Sequence, residues 1–253
     1  MTTRRRRWPR ILPGPGHHPA VHPGPRPADL SRERGEPATW TVVLPLKGGS
    51  NAKSRLRAPA PLATAIALDC LDAVLASPPV ETVVVVTPDP ALAAVAASRG
   101  AQVRGESAPG DGLLAAIADG LDGVRGRCAV LLGDLPALRP DDLAIALGLA
   151  GGLLESDSRP DAERPEMVFV PDAEGTGTVL LAALSTAAIR PSFGTASASA
   201  HQDAGAARLD VELPRLRRDV DTRADLRTAI TLGVGPRTAV ALAELGDLSE
   251  TVA

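Results

Sequence analysis

Four consecutive valines, Val83 to Val86, decide most of what this chain can fold into. A β-branched run without a polar break suits a strand that is apolar on both sides, so both faces of its sheet must be covered. The covering material lies next to it in the sequence. Short strand-like runs at Thr41 to Leu46, Glu81 to Thr87, Ala101 to Arg104, Cys128 to Leu132 and Met167 to Val170 alternate with Ala/Leu-rich helical stretches. These stretches run from about Leu62 to Leu75, Pro90 to Ser98, Gly112 to Leu121 and Pro140 to Leu149, the last opening on Asp141 and Asp142 at the positive end of its dipole. Strands alternating with helices imply βαβ crossovers, hence an α/β fold with a mainly parallel sheet flanked by helices. A further strand is expected to end over Leu216 to Val220. Thr222 then caps a helix through Leu232, with Asp225 at the capping-box position.

Residues 1–38 show neither period. Rich in Pro, Arg, Gly and His, they offer too little apolar surface to offset ordering entropy, and a disordered extension is expected there, with a folded domain over 39–253. The arginines Arg4 to Arg7 are not followed by the apolar run of a secretory signal, and no stretch approaches the ~20 apolar residues needed to span a bilayer. The expected location is the cytoplasm, with no membrane contact. A formal net charge of −3, no tyrosine and only four aromatic residues, Trp8, Trp40, Phe169 and Phe193, leave no platform for stacking bases, so nucleic acid is not an expected partner. Cys70 and Cys128 sit in apolar runs and read as small hydrophobes.

In open α/β sheets ligands bind beyond the carboxyl ends of the strands, so the residues that follow each strand carry the functional reading. The first strand runs into Lys47-Gly48-Gly49-Ser50-Asn51-Ala52-Lys53-Ser54-Arg55. The only two lysines among 27 basic residues stand here six apart, with Arg55 beside them. Glycines that admit a ligand close to the backbone, with three positive charges, make a cradle for a polyphosphate. The segment matches neither a P-loop nor a dinucleotide fingerprint. Strand Cys128 to Leu132 ends in Gly133-Asp134-Leu135-Pro136, where Asp134 stands as a metal ligand would. Near the carboxyl terminus, Arg218-Asp219-Val220-Asp221-Thr222 places two carboxylates on one face of an extended chain, roughly 6 to 7 Å apart at Cα. Like charges that close favour a cation between them, and Mg²⁺ suits carboxylates that share it with phosphate oxygens and water. Two Gly/Thr/Ser segments, Gly175-Thr176-Gly177-Thr178 and Pro191 to Ser197, present amides and hydroxyls that could hold a carboxylate or a second phosphate. His201 follows Ser197 and Ser199 without a nucleophile elbow, and reads as a histidine on a helix surface.

With those segments in place, the chain from about Trp40 to Val240 resembles the phosphoenolpyruvate / 2-phospho-L-lactate guanylyltransferases of coenzyme F-420 biosynthesis. Ala52-Lys53-Ser54-Arg55-Leu56, Gly133-Asp134-Leu135-Pro136-Ala137-Leu138, Gly175 to Thr178, Phe193-Gly194 with Ser197, Arg218 to Thr222 and Leu232-Gly233-Val234-Gly235-Pro236 carry the resemblance. It implies a single-domain nucleotidyltransferase (GT-A-like) fold, similar to the enzyme that attaches GMP to molybdopterin. The implied reaction joins GMP from GTP to a phosphorylated three-carbon acid and releases pyrophosphate. In actinobacterial members of that family the acid is phosphoenolpyruvate and in archaeal ones 2-phospho-L-lactate. The arginine- and alanine-heavy composition suggests a high-GC actinobacterial source, so the resemblance implies phosphoenolpyruvate, with 2-phospho-L-lactate and 3-phosphoglycerate as alternatives. The resemblance implies Asp134, Asp219 and Asp221 as metal ligands for Mg²⁺, and Thr178, Gly194 and Ser197 as phosphoenolpyruvate-binding residues. Lys47, Lys53 and Arg55 would serve catalysis by holding the departing pyrophosphate. It also implies a hand-over of product to the next enzyme of that pathway.

One position departs from the pattern. Members of that family carry Gly-Leu-Asn at the start of the helix after the third strand, whereas this chain reads Gly112-Leu113-Leu114, so Leu114 offers packing where an amide could address the base. Two rival readings follow: a nucleotidyltransferase acting on a sugar phosphate or molybdopterin, and a catalytically silent nucleotide-binding homologue. The first would have a fuller glycine-rich loop after strand one. The second has Leu114 in its favour and the intact acidic set against it.

Overall fold

The computed structural model describes residues 39–46, 59–108, 110–156 and 164–249. The expected extension over 1–38, and the loop with Lys47, Lys53 and Arg55, lie outside the described residues. The elements run β1 (Trp40–Pro45), α1 (Ala60–Leu75), β2 (Val80–Val86), α2 (Pro90–Ser98), β3 (Gln102–Arg104), α3 (Leu113–Leu121), β4 (Cys128–Leu131) and α4 (Pro140–Leu154). They continue with β5 (Met167–Pro171), β6 (Thr178–Ala183), α5 (Ser197–Asp203), β7 (Ala207–Arg208), α6 (Pro214–Arg217), α7 (Arg223–Leu232) and α8 (Pro236–Ser249).

The strands form one sheet in the order β3-β2-β1-β4-β6-β5-β7. β1 pairs parallel with β2 and β4, β2 with β3, and β5 with β7, while β6 runs antiparallel to both β4 and β5. The reversed strand is the structural surprise. Thr178 to Ala183 is not expected as a strand from the sequence, and it lies buried in the sheet. Its reversal brings its first residue, Thr178, level with the carboxyl ends of β4 and β5. The Leu132 amide bonds the Val179 carbonyl at 3.0 Å, and Pro171 is in register with Thr178.

The valine run behaves as its composition requires. Val83 and Val85 pack with Val42 and Leu44 of β1 into the core under α1 and α4, and Val84 and Val86 pack with Val43, Ala116 and Ile117 under α3. α3 approaches that second face closely enough that a Cβ on Gly120 would lie under 3.0 Å from both Val43 Cγ1 and Val86 Cγ2. Gly120→Ala is therefore expected to cost about 1 to 3 kcal/mol by overpacking, read as a lower urea midpoint at unchanged slope. An unchanged midpoint would mean that α3 lifts off freely.

Two expectations need correction. Leu216 to Val220 is not a strand: Pro214 opens a single helical turn, α6, which places buried Leu216 in the main core, and residues 218–220 then lie outside the sheet. α4 continues to Leu154, beyond the expected Leu149, because Ala150 and Leu154 continue its buried stripe. The capping box is as expected, with Thr222 accepting from the Asp225 amide and Asp225 accepting from the Thr222 amide. Both cysteines are buried outside any disulfide, and burial pushes the Cys128 thiol up to about 12. No described helix is long and apolar enough to cross a membrane.

Candidate active site

Three acidic segments meet at the carboxyl edge of the sheet. Asp134 follows β4 by three residues, on a turn whose Gly133 passes so close to Leu46 that a side chain there would collide with it. The segment Arg218 to Asp221 is clipped to that turn by the Val220 amide, which donates to the Asp134 carbonyl at 3.1 Å. Asp134, distant in sequence from Asp219 and Asp221, thus shares one corner with them. Partial burial, then the charges of Asp134, Asp221 and Asp172, push the Asp219 carboxyl up to about 7. Crowded carboxylates with hard oxygen donors are the donor set a divalent cation takes.

The turn between α7 and α8 braces this corner. Arg139 donates to the Gly233 carbonyl at 2.8 Å, and the Gly235 amide donates to the Pro136 carbonyl at 2.8 Å, two residues past Asp134. The glycine-rich signature before α8 therefore braces the acidic turn. Below Asp134 and Asp221 lies a cavity of about 220 Å³ with an apolar floor made by Leu46, Ala63, Ile66, Leu113 and Leu132. Leu113 lines it. Leu114 is 47% exposed and does not serve as the packing residue expected of it.

The structure adds Asp172 and Glu174 to the corner. Carboxylate oxygens of Asp172, Glu174 and Asp219 lie within 4.8 Å of one another. Glu174 is already paired with Arg218 at 2.6 Å, and Arg218 reaches Asp225 as well. Asp172 takes the amides of Thr176 at 2.9 Å and Gly177 at 2.7 Å. Two amides of the supposed anion nest at Gly175 to Thr178 are therefore occupied by the chain's own carboxylate. Asp172 was within reach of the rule that selected Asp134, since it directly follows the wholly buried β5.

The other candidate residues lie beside this corner. Thr178 and Ser197 are buried, and Gly194 is exposed with φ +140°, followed at Ala196 by a left-handed residue, φ +57°, that caps α5. The Ala198 amide bonds the Thr176 carbonyl at 3.1 Å, which ties the start of α5 to the β5–β6 turn. His201 is not on the surface. It is fully buried, bonded to Thr178 and to the Ser192 backbone, with its ring edge-on to Phe193 at 5.1 Å. Nothing in the local sequence announces this, because the aromatic rings that cover it come from other segments.

Comparison with known proteins shows the family of the chain. The family model of the MobA-like NTP transferase domain matches residues 63–216. A phosphoenolpyruvate guanylyltransferase from Salinispora arenicola is 47% identical over 208 residues, covering 79% of this chain and 92% of the relative. One from Geodermatophilus obscurus is 44% identical over 80% of this chain and 94% of its own length. Among solved structures, a nucleotidyl transferase from Methanothermobacter aligns with TM-score 0.52 at 17% identity, covering 77% of this chain and 97% of that one. A cytidylyltransferase from Leptospira borgpetersenii aligns with TM-score 0.50 at 15% identity, over 84% and 95%. The shared fold, the family match and relatives at this identity over nearly their whole length make the chain a nucleotidyltransferase, a member of the MobA-like NTP transferases and, among them, of the phosphoenolpyruvate guanylyltransferase family.

Proposed function

We propose that the enzyme transfers the guanylyl group of GTP to the phosphate of phosphoenolpyruvate, giving enolpyruvoyl-2-diphospho-5'-guanosine and pyrophosphate for coenzyme F-420 synthesis in the cytoplasm. What supports it is that Asp134 and Asp221 line one cavity and that the Asp219 carboxyl feels the charges of both. The names of the relatives at 44 to 47% identity supply the substrates.

In the reaction, a phosphate oxygen of the acid bonds to the α-phosphorus of GTP while the bond from that phosphorus to the β-phosphate oxygen breaks. The electron pair leaves with pyrophosphate. The attacking oxygen is already anionic, so no residue has to remove a proton, and the work left for the protein is alignment and relief of charge. Asp134, Asp219 and Asp221 would hold Mg²⁺, which when bound offsets negative charge at the α-phosphate. Thr178, Gly194 and Ser197 hold the acid by donating hydrogen bonds to its anionic oxygens. The apolar floor at Leu113 and Leu132 receives the nucleoside and excludes water from one side of it. Lys47, Lys53 and Arg55 are assigned to the leaving pyrophosphate on their sequence pattern alone.

The raised Asp219 carboxyl makes a prediction for the metal-free protein. Its ordinary value is 3.8 and the folded value about 7, so ionisation opposes folding. Below the lower value the group is protonated in both states and costs nothing. Stability then falls as the pH rises towards about 7 and is level above it, a loss on the order of 2 to 4 kcal/mol. Urea midpoints in EDTA should be higher at pH 5 than at pH 8, and added Mg²⁺ should recover the difference at pH 8. Equal midpoints with and without Mg²⁺ would argue against a cation in this corner.

Mass spectrometry of the products from GTP with phosphoenolpyruvate, 2-phospho-L-lactate and 3-phosphoglycerate in turn, repeated with ATP, tests the assignment. A diphospho-guanosine adduct from phosphoenolpyruvate is expected. Adducts from another acid alone would transfer the reading to that acid, and none from any would end it.

A further inference from the structure

Thr178 Oγ1 and His201 Nδ1 lie 2.9 Å apart in a buried setting, and the other ring nitrogen settles which of them donates. The Ser192 amide points at His201 Nε2 from 2.8 Å, and an amide only donates, so Nε2 must present its lone pair. Burial among Phe169, Phe193 and the start of α5 holds the ring neutral, with its pKa down to about 4. A neutral imidazole has one proton, which is then on Nδ1. The Ser197 carbonyl, one helical turn earlier, favours the protonated ring and so is a second acceptor for that Nδ1 proton beside Thr178. A protonated Nδ1 cannot accept, so the Thr178 hydroxyl proton has to point away from the ring.

We propose that His201 is a positioning residue for the phosphorylated acid. Its Nδ1–H fills the accepting side of the Thr178 hydroxyl and turns that hydroxyl's proton towards an anionic oxygen. Its Nε2 holds the Ser192 backbone, and with it the turn that carries Gly194 and Ser197. One buried ring thereby joins the start of β6 to the loop before α5, the two segments assigned above to the acid. The inference rests on that assignment of Thr178.

The test separates the two nitrogens. In His201→Asn the amide nitrogen replaces Nδ1 and can still donate to Thr178. In His201→Gln the amide oxygen replaces Nε2, keeps Ser192 and loses the Thr178 donor. With GTP saturating, His201→Gln is expected to raise the KM for phosphoenolpyruvate about tenfold or more, the loss of a hydrogen bond to a charged group, while the KM for GTP stays within about twofold. His201→Asn should stay within about threefold for both substrates. In a Thr178→Val background His201→Gln should add less than about twofold, since the two act as one unit. An equal rise in that background, a parallel rise for GTP, or no rescue by Asn would overturn the proposal. Should the variants fold poorly, nitrogen-15 spectra of the wild-type protein decide the tautomer without any substrate. Nδ1–H is expected, and Nε2–H would overturn the proposal. Absence of wild-type turnover with phosphoenolpyruvate would instead fail the assignment of the reaction, with the tautomer measured all the same.

Discussion

Asp134→Asn is expected to lower kcat/KM at least ~1000-fold while the metal-free protein melts at the same temperature or higher. The two halves of that result come from one cause. Asp134, Asp219 and Asp221 are like charges in one corner, and the Asp219 carboxyl is raised first by burial and then by the charges of Asp134, Asp221 and Asp172, which repel its ionised form. Removing one charge relieves the repulsion, so stability cannot fall through that route. What anchors the turn is the Asp134 carbonyl, which accepts from the Val220 amide and survives the substitution. The loss falls on binding a cation and on offsetting charge where two polyanions must approach. The measurement is pyrophosphate release at saturating GTP, alongside thermal melts in EDTA and calorimetric Mg²⁺ titration. Turnover at the wild-type level would show that the Asp134 carboxylate lies outside the chemistry. A fall of many degrees in the melt would show that the acidic corner is a structural feature in its own right.

The same corner shows how far the residues could be read without coordinates. Val83 to Val86, the Gly133-Asp134 strand end and the Thr222 to Asp225 capping box are local signals, and each stands in the structure where its physics puts it. β6 is different. Val179-Leu180-Leu181-Ala182-Ala183 has no alternation and ends in alanines, so a strand and a buried helical turn are equally compatible with it. Only pairing on both sides, with β4 and β5, makes it a strand, and that information is not local. His201 fails to announce itself for a related reason, since a histidine in a Ser/Ala-rich helix reads as exposed until Phe169 and Phe193 cover it from elsewhere. Asp172 was legible by its place after a strand. The Gly/Thr segment beside it looked like a site for an external anion because a chain read in order does not show that Asp172 folds back onto the Thr176 and Gly177 amides.

Removing the Asp69 carboxylate is expected to cost about 3 kcal/mol, the largest stability loss for a single substitution outside the apolar core. Asp69 is buried on α1 and accepts from the Thr238 amide at 2.8 Å and the Arg237 amide at 3.2 Å, which are otherwise orphan donors in the first turn of α8. Gly235 lies so close that a Cβ there would strike the same carboxylate. The Arg237 guanidinium reaches Asp69 and Asp72, and Arg99 pairs with Asp72 at 2.8 Å. Asp69→Ala leaves Arg237 one partner, so the cost is set by the buried Thr238 amide and the part-buried Arg237 amide rather than by a stranded cation. Asp69→Asn keeps one accepting oxygen and should lose about half as much. Because α1 supplies Ala63 and Ile66 to the cavity, and the Gly233 to Gly235 turn braces Pro136, the loosened α8 should also raise the KM for GTP. Urea unfolding of both variants with EDTA present reads the stability directly. A loss below about 1 kcal/mol for Asp69→Ala would mean that α8 is held by its apolar contacts with Leu62 and Ile66 alone, and the brace on the acidic turn would then have to be sought in Arg139 and the Gly235 amide.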